Sequence, residues 1–491
     1  MVLNLKTMAT LEEIRENRIK KIEELKKIGI NPYPAKIKIS GKTVRISQAK
    51  KSLSKTVLIA GKIFAIREHG SMVFMDLKDE SGKIQLWFQK NNLKDDFKIL
   101  NLIDSGDYLA VKGKIIKSKT KEITLDVKKF QLLSKSLRPL PKEWYGLKDI
   151  EERYRKRYLD LLLNEEIRKR FDVRTKLVSL IRKYLDSLNY FEVETPILQP
   201  LYGGANAKPF KTHLNSLDID VYLRIATELY LKRLIIGGYE RVYEIGKDFR
   251  NEGIDQSHFP EFTMIEWYEA YADYQRMMEV TEGLFKYLAK NIFGNYILNV
   301  DQYKINIGKK WKKITMVDLL RETLNLDTNK ETIESLANFC KKNKIEILGG
   351  ETKGQLIYLI FEHLVSSKLI EPTWVIDYPK DVSPLAKNKE EDPNWVDRFE
   401  GYIGGKELCD GWSELTDPIE QRKRFEADKK AARVDKEEAQ QVDEDFLTAM
   451  EYGMPPLGGI GIGIDRLTMF FTNTWQIKEV ILFPTLRPKD K

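Results

Sequence analysis

A chain of 491 residues is long enough for two or three domains, and its two cysteines, Cys340 and Cys409, with only four histidines, exclude a disulfide framework and a zinc cluster. Net charge is +9, unevenly spread: residues 1 to 140 carry 30 Lys+Arg against 15 Asp+Glu, leaving 53 against 59 of the totals 83 and 74 for the remainder. A basic first part suits a polyanion and a mildly acidic remainder suits small-molecule chemistry; with no apolar run near 18 residues and no signal-peptide core, a cytoplasmic protein off the membrane is expected.

In chain order, Thr10 and Glu13 have capping-box spacing, and Leu11, Ile14, Ile22 and Leu25 recur at helical intervals until Gly29 and "NPYP". From 56 to 133 come five strand-like runs, "TVLIAGKIFAIR", "MVFMDLK", "KIQLWF", "DYLAVKGKIIK" and "EITLDVKKFQLL", with a helical "LKDDFKILNLI" between the third and fourth. That order predicts a small OB-type barrel, whose exposed strand face binds single-stranded nucleic acid. Phe74, Trp87 and Phe88 are candidate stacking rings, but strand alternation sets Trp87 and Phe88 on opposite sides, so Phe74, Arg67 and Gln85 are the favoured surface readers. The proline-bearing stretch 134 to 143 reads as a linker, dividing the chain into domains 1–140 and 141–491.

The second domain opens on the amphipathic helix "RFDVRTKLVSLIRKYLDSLN" and the strand "FEVETPIL". Two further strands, "RVYEIGKDFRNE" and "EFTMIEWYEAYA", bracket the loop "GIDQSHFP" as an antiparallel pair. They bring Arg250, Glu252, His258, Phe262 and Glu266 together: cation, acid and ring for a nucleotide. A charged hairpin in water is the plainer reading of that segment alone. Residues 275 to 370 look helical and chemically quiet, an insertion. Gly404 and Gly405 fit a hairpin turn that returns through "KELCDGWSEL". Glu407 and Glu414 lie seven apart, so a regular strand would face them oppositely; a bulge at Gly411 would restore parity and aim both at one face, as Mg²⁺ ligands or as partners of lysines. Near the end, "GGIGIGIDR" is a glycine-rich strand entering a helix, with Arg466 a second phosphate candidate. No Rossmann or P-loop spacing is present.

In this order the segments resemble a class II aminoacyl-tRNA synthetase, and most closely the class II lysyl-tRNA synthetase family. "FEVETPIL" looks like the first motif, with Pro196 at a dimer interface, "FRNEG" through "HFPEFTMIEWYEAYADY" like the second, and "GIGIGIDRL" like the third. The resemblance implies an α+β protein: an N-terminal OB-fold anticodon-binding domain and a catalytic domain built on an antiparallel sheet flanked by helices. It implies a homodimer that binds tRNA(Lys), L-lysine and ATP, with up to three Mg²⁺ ions per site. It places Arg250 on the α-phosphate, Glu252 on the adenine amino group, Phe262 and Arg466 on the two adenine faces, and His258 near pyrophosphate. Glu407 and Glu414 fall to magnesium, and Arg67, Phe74 and Gln85 to the anticodon. Glu266 and Tyr268 take the lysine ε-ammonium, Glu228 and the Gly204 backbone its α-amino end, and Asp410, Trp412 and Glu414 complete the lysine site. Asp410 stands where the family generally has Asn, and Trp412 where a smaller ring is usual. The side chain at 410 would repel a substrate carboxylate or attract an α-amino group. Aspartyl- and asparaginyl-tRNA synthetases share this layout, but Glu266 argues against an anionic substrate. A non-catalytic tRNA-binding protein on the same scaffold would have no need of Arg250, Arg466, Glu407 and Glu414.

Overall fold

The computed structural model describes residues 10–118, 121–141, 149–431 and 441–489, without the side chains of 428–431. The chain divides into two compact units, 1–147 and 148–491. Part of the 134 to 143 linker lies outside the described residues.

In the first unit, helix Leu11–Lys27 starts on the expected capping box between Thr10 and Glu13. Five strands, Thr56–His69, Met72–Asp79, Gly82–Gln89, Tyr108–Lys117 and Ile123–Ser134, close into a barrel in the order first, second, third, fifth, fourth. The connection between the third and fourth is helical, Lys90–Leu93 running into the 3₁₀ turns Lys94–Leu102. Closure bends the strand at a register shift beside Gly113, where a Cβ would lie 2.1 Å from the Asp126 carbonyl oxygen; only glycine fits. Phe88 is fully buried in the barrel core, while Trp87 points the other way.

The second unit is built on an eight-stranded sheet, in the order Lys312–Thr315, Thr373–Pro379, Trp395–Ile403, Lys406–Ser413, Leu457–Gly463, Glu261–Ala270, Arg241–Phe249 and Phe191–Glu192. It is antiparallel except at its two outer pairs. One face is covered by helices Glu165–Ser187, Tyr274–Phe293 and Ile464–Phe471, through a core that includes Ile265, Trp267, Ile460, Ile462, Phe285 and Phe470. The opposite face is left for the site. The α+β architecture read from the sequence is therefore the one observed. Two local expectations change. "FEVETPIL" supplies only Phe191–Glu192 to the main sheet, while Leu198–Gln199 joins a separate three-stranded sheet. Residues 275 to 370 are not purely helical: they contain the hairpin Ile297–Val300 with Tyr303–Asn306, and Lys312–Thr315 is an edge strand of the main sheet. Short β runs among lysines lack the length that a period-two pattern needs to stand out.

Candidate active site

The open face carries a cavity of about 460 Å³. Its floor follows from strand register. Gly461 pairs with Asp410 on one side and Glu266 on the other; Gly459 pairs likewise with Trp412 and Tyr268. Because side chains alternate, Gly459, Gly461 and Gly463 form a bare strip on the cavity face while Ile460 and Ile462 enter the core behind. The result is a trough about 10 Å wide between the flanking strands, two strand spacings. Side chains from both walls lean over the strip: a Cβ on Gly459 would lie 2.3 Å from the Tyr268 ring and 2.4 Å from Glu414 Oε1.

Gly404 and Gly405, at φ 64° and 70°, make the left-handed turn that starts the returning wall. A residue is inserted in that wall, but at Leu408 and not at Gly411: Gly401 pairs with Cys409, whereas its neighbour Tyr402 pairs with Glu407. The bulge turns Glu407 onto the face of Asp410 and Trp412, so all three line the cavity. Gly411 is glycine for another reason, since a Cβ there would meet the Gly459 carbonyl oxygen at 2.6 Å.

The closed end of the trough is acidic and dry. Glu228, Glu266 and Glu414 are 3%, 6% and 1% exposed, and Lys232, 1% exposed, lies among them. Its ammonium is 2.5 Å from Glu228 Oε1 and 2.5 Å from Glu414 Oε2. Trp412 Nε1 also donates to Glu414 Oε2 at 2.7 Å, and the Tyr268 hydroxyl donates to Glu266 at 3.0 Å. Glu414 Oε1 is buried with no partner. Burial holds all three carboxyls above their usual range, Glu414 at about 7, despite Lys232 beside two of them. Glu228 and Glu266 line the cavity, with Glu414 and Lys232 packed behind them; three buried carboxylates near one ammonium favour a second cation at this end. Gly204 lines the roof beside Glu228.

The open end carries the arginines. Arg250 follows directly on the strand Arg241–Phe249, and its guanidinium lies over the Phe262 ring at 5.1 Å. Arg466 reaches Glu407 at 3.0 Å and the His258 ring nitrogen Nε2 at 2.9 Å, while Asp255 holds His258 Nδ1 at 2.7 Å. Glu252 is an exposed carboxylate on the same loop. Helix Ile464–Phe471 is anchored by Asp465, which accepts from Arg174 at 2.6 Å and the Thr263 backbone at 2.7 Å, fixing where Arg466 starts.

The proposed magnesium pair is not brought together. Glu414 is committed to Lys232 and Trp412, seven residues along the chain from Glu407. Among the described residues no three Asp, Glu, His or Cys side chains form a metal cluster. Glu407, 39% exposed beside Arg466, suits a cation shared with phosphate oxygens, the usual manner of Mg²⁺; Glu414 does not. Sequence reading also missed Lys232 and Arg398. Lys232 sits one helical turn after Glu228, a spacing that could have flagged it. Arg398, opposite Trp412 across the hairpin, clamps Asp410 with two bonds of 2.9 and 2.8 Å.

In the barrel, Arg67 pairs with Phe74 and Phe74 with Trp87, making one row across the outer face. The Phe74 and Trp87 rings are parallel within 3°, their centroids 6.2 Å apart. Arg67 is held by Asp76 at 2.8 Å, and Gln85, opposite Asp76, accepts from Thr124. Trp87 thus joins the three expected readers.

A sheet trough with arginines at one end and buried carboxylates at the other, in a chain that also carries an OB barrel, is a layout that suits a class of amino-acid-activating enzyme. The chain belongs to the class II tRNA synthetases: that family's model for the D, K and N enzymes matches residues 149–487, and the OB-fold nucleic acid binding domain matches residues 57–133. Within it, a lysine–tRNA ligase of Thermoanaerobacter pseudethanolicus is 47% identical over 486 residues, 98% of this chain and 97% of the relative. One from Carboxydothermus hydrogenoformans is 46% identical over 490 residues, 98% and 99% of the two chains. Lysine–tRNA ligase 2 of Methanosarcina mazei is 47% identical over 482 residues, 97% and 94%.

Removing Lys232, the cation among the described residues that pairs with Glu228 and Glu414, leaves buried carboxylates facing each other. Lys232→Met is expected to lower the unfolding free energy by about 3–5 kcal/mol in a denaturant titration. A loss below about 1 kcal/mol would mean that Lys232 does not carry that charge balance.

Proposed function

We propose that the protein activates L-lysine with ATP to lysyl-adenylate and pyrophosphate, and then transfers the lysyl group to the terminal adenosine of tRNA(Lys). The observation that carries the amino-acid choice is the excess of buried carboxylate at the closed end. An aspartate side chain would add a fourth negative charge there, and an asparagine amide would leave the excess uncompensated. Lysine brings an ammonium on a four-carbon stem. Glu414 Oε1 and Tyr268, with Glu266 behind the hydroxyl, take the ε-ammonium; Gly204 and Glu228 take the α-amino end.

The substrate carboxylate then lies toward Arg250, which holds the α-phosphate that it attacks. Negative charge builds on phosphoryl oxygens as the carboxylate displaces pyrophosphate, so fixed cations already in place lower the barrier without reorganising. Arg466 and His258 hold the pyrophosphate side, Phe262 and Glu252 the adenine. Glu407 is the residue that would hold Mg²⁺, whose chemistry when bound is to screen phosphate charge. No side chain forms a covalent intermediate.

Arg67, Phe74 and Gln85, with Trp87, form the anticodon surface: a ring pair for base stacking flanked by polar readers. The homodimer is supported by large apolar side chains left exposed around the first motif, Phe191, Ile197, Leu198 and Leu217 among them, with Phe191 stacked on Tyr239. Sedimentation at micromolar concentration is expected to give twice the chain mass; a single-chain mass would remove the dimer.

Amino-acid-dependent exchange between ATP and pyrophosphate, run with each of the twenty amino acids, is expected to respond to lysine, and aspartate-dependent exchange would overturn the substrate. Arg250→Ala should lose exchange by at least 10²-fold while still binding tRNA. Phe74→Ala should raise the KM for tRNA and leave exchange untouched; equal loss of both would argue against a separate anticodon surface. Since burial holds the Glu414 carboxyl at about 7, acidification below that value protonates it and removes the charge that seats the ammonium. The KM for lysine should therefore be lowest above pH 7 and rise between pH 7 and 6; a flat profile would mean that Glu414 is not the seat.

A further inference from the structure

The surroundings of Asp410 decide which substrate group it can meet. Arg398 has five N–H bonds, and all five have acceptors. Nε donates to Asp410 at 2.9 Å, and Nη2 donates to Asp410 at 2.8 Å and to Glu400 at 2.9 Å. Nη1 donates to the Val382 carbonyl at 2.8 Å and the Ser383 hydroxyl at 3.1 Å. The guanidinium thus has nothing left to offer a ligand, and an ionised carboxylate only accepts. Yet Asp410 is 28% exposed and lines the cavity, so its remaining lone pairs face the trough. Whatever docks against this wall must donate.

Position along the trough names the donor. The ε-ammonium seat lies beside Gly459; Asp410 stands beside Gly461, two residues toward the nucleotide end. Two strand residues span about 7 Å, close to the reach of an extended lysine side chain from Cα to its ammonium. A lysine seated at Glu414 therefore sets its Cα at the level of Asp410. Its carboxylate is drawn onward to Arg250, and the α-ammonium, with three N–H donors, has one to turn to the wall beyond those that Glu228 and the Gly204 backbone take.

We infer that Asp410 is a specificity residue that accepts from the substrate α-ammonium, and that Arg398 is the positioning residue that holds it there. This rests on the lysine-activating function proposed above. An amide at 410 could serve a carboxylate or an amine; the clamped aspartate serves only the amine, so this enzyme should reject substrates that lack a charged α-amino group more firmly.

The test is ATP–pyrophosphate exchange with L-lysine and with its α-hydroxy counterpart, 6-amino-2-hydroxyhexanoate. In Asp410→Asn the KM for lysine should rise about tenfold or more, with kcat and the KM for ATP little changed. The preference for lysine over the hydroxy acid should fall by a similar factor. Arg398→Lys, which keeps the charge but not the fork, should show the same split at a few-fold. An unchanged or lower lysine KM in Asp410→Asn, or an unchanged preference, overturns the inference and places the substrate carboxylate at Asp410. If Asp410→Asn unfolds well below the wild-type temperature, Arg398→Lys decides: an unchanged lysine KM there overturns it equally. Absence of lysine-dependent exchange in the wild type would instead remove the proposed function, and this inference with it.

Discussion

Three buried carboxylates, two of them paired with a single lysine, are the constraint on which the rest of the site depends. Glu228, Glu266 and Glu414 are out of water, and Lys232 balances only part of their charge. Such an arrangement is unfavourable in the free protein and persists because helix Glu228–Ile236 and the sheet over-determine each side chain. On the proposed function a cationic substrate relieves that imbalance, so specificity and local destabilisation share one origin. Trp412 refines it: its indole N–H takes the same Glu414 oxygen as Lys232, leaving the other oxygen for the ligand.

The sheet makes this possible by omitting side chains along one strand. With Gly459, Gly461 and Gly463 bare, the walls on either side face each other across open space, and register fixes which residues do so. Arg250 and Arg466 stand at one end and Glu228 and Glu266 at the other; on the proposed function phosphate lies at the first, the ammonium at the second and the reacting carboxylate between. The chemistry follows from a charge gradient laid along one trough. Placement of fixed charge accomplishes what a covalent nucleophile does in other transferases.

Much of this was legible in the sequence because the signals were local. The barrel follows from five strand-like runs with a helical stretch between the third and fourth, the capped first helix from Thr10 and Glu13, and the hairpin from Gly404 and Gly405. The parity argument for Glu407 and Glu414 correctly required an inserted residue, but a glycine is only one place for a bulge, and Leu408 holds it. Pairing the two glutamates as metal ligands failed for a different reason. Sequence distance says nothing about a third element, and it is Lys232, from a helix some 180 residues earlier, that claims Glu414. Arg398 was hidden in the same way: its role emerges only when the hairpin register sets it against Asp410 and Trp412. Residue types were readable; partners contributed by distant strands and helices were not.

The central claim is that the closed end of the trough demands a positive charge. L-norleucine has the same backbone and nearly the shape of lysine but ends in a methyl group, so it isolates that demand. Calorimetric titration of the protein with the two amino acids is expected to show lysine binding and no measurable norleucine binding, a preference on the order of 10⁴-fold where buried groups would be left unpaired. Affinities within tenfold of each other would contradict the account, because the carboxylates at the closed end would then not be selecting for an ammonium.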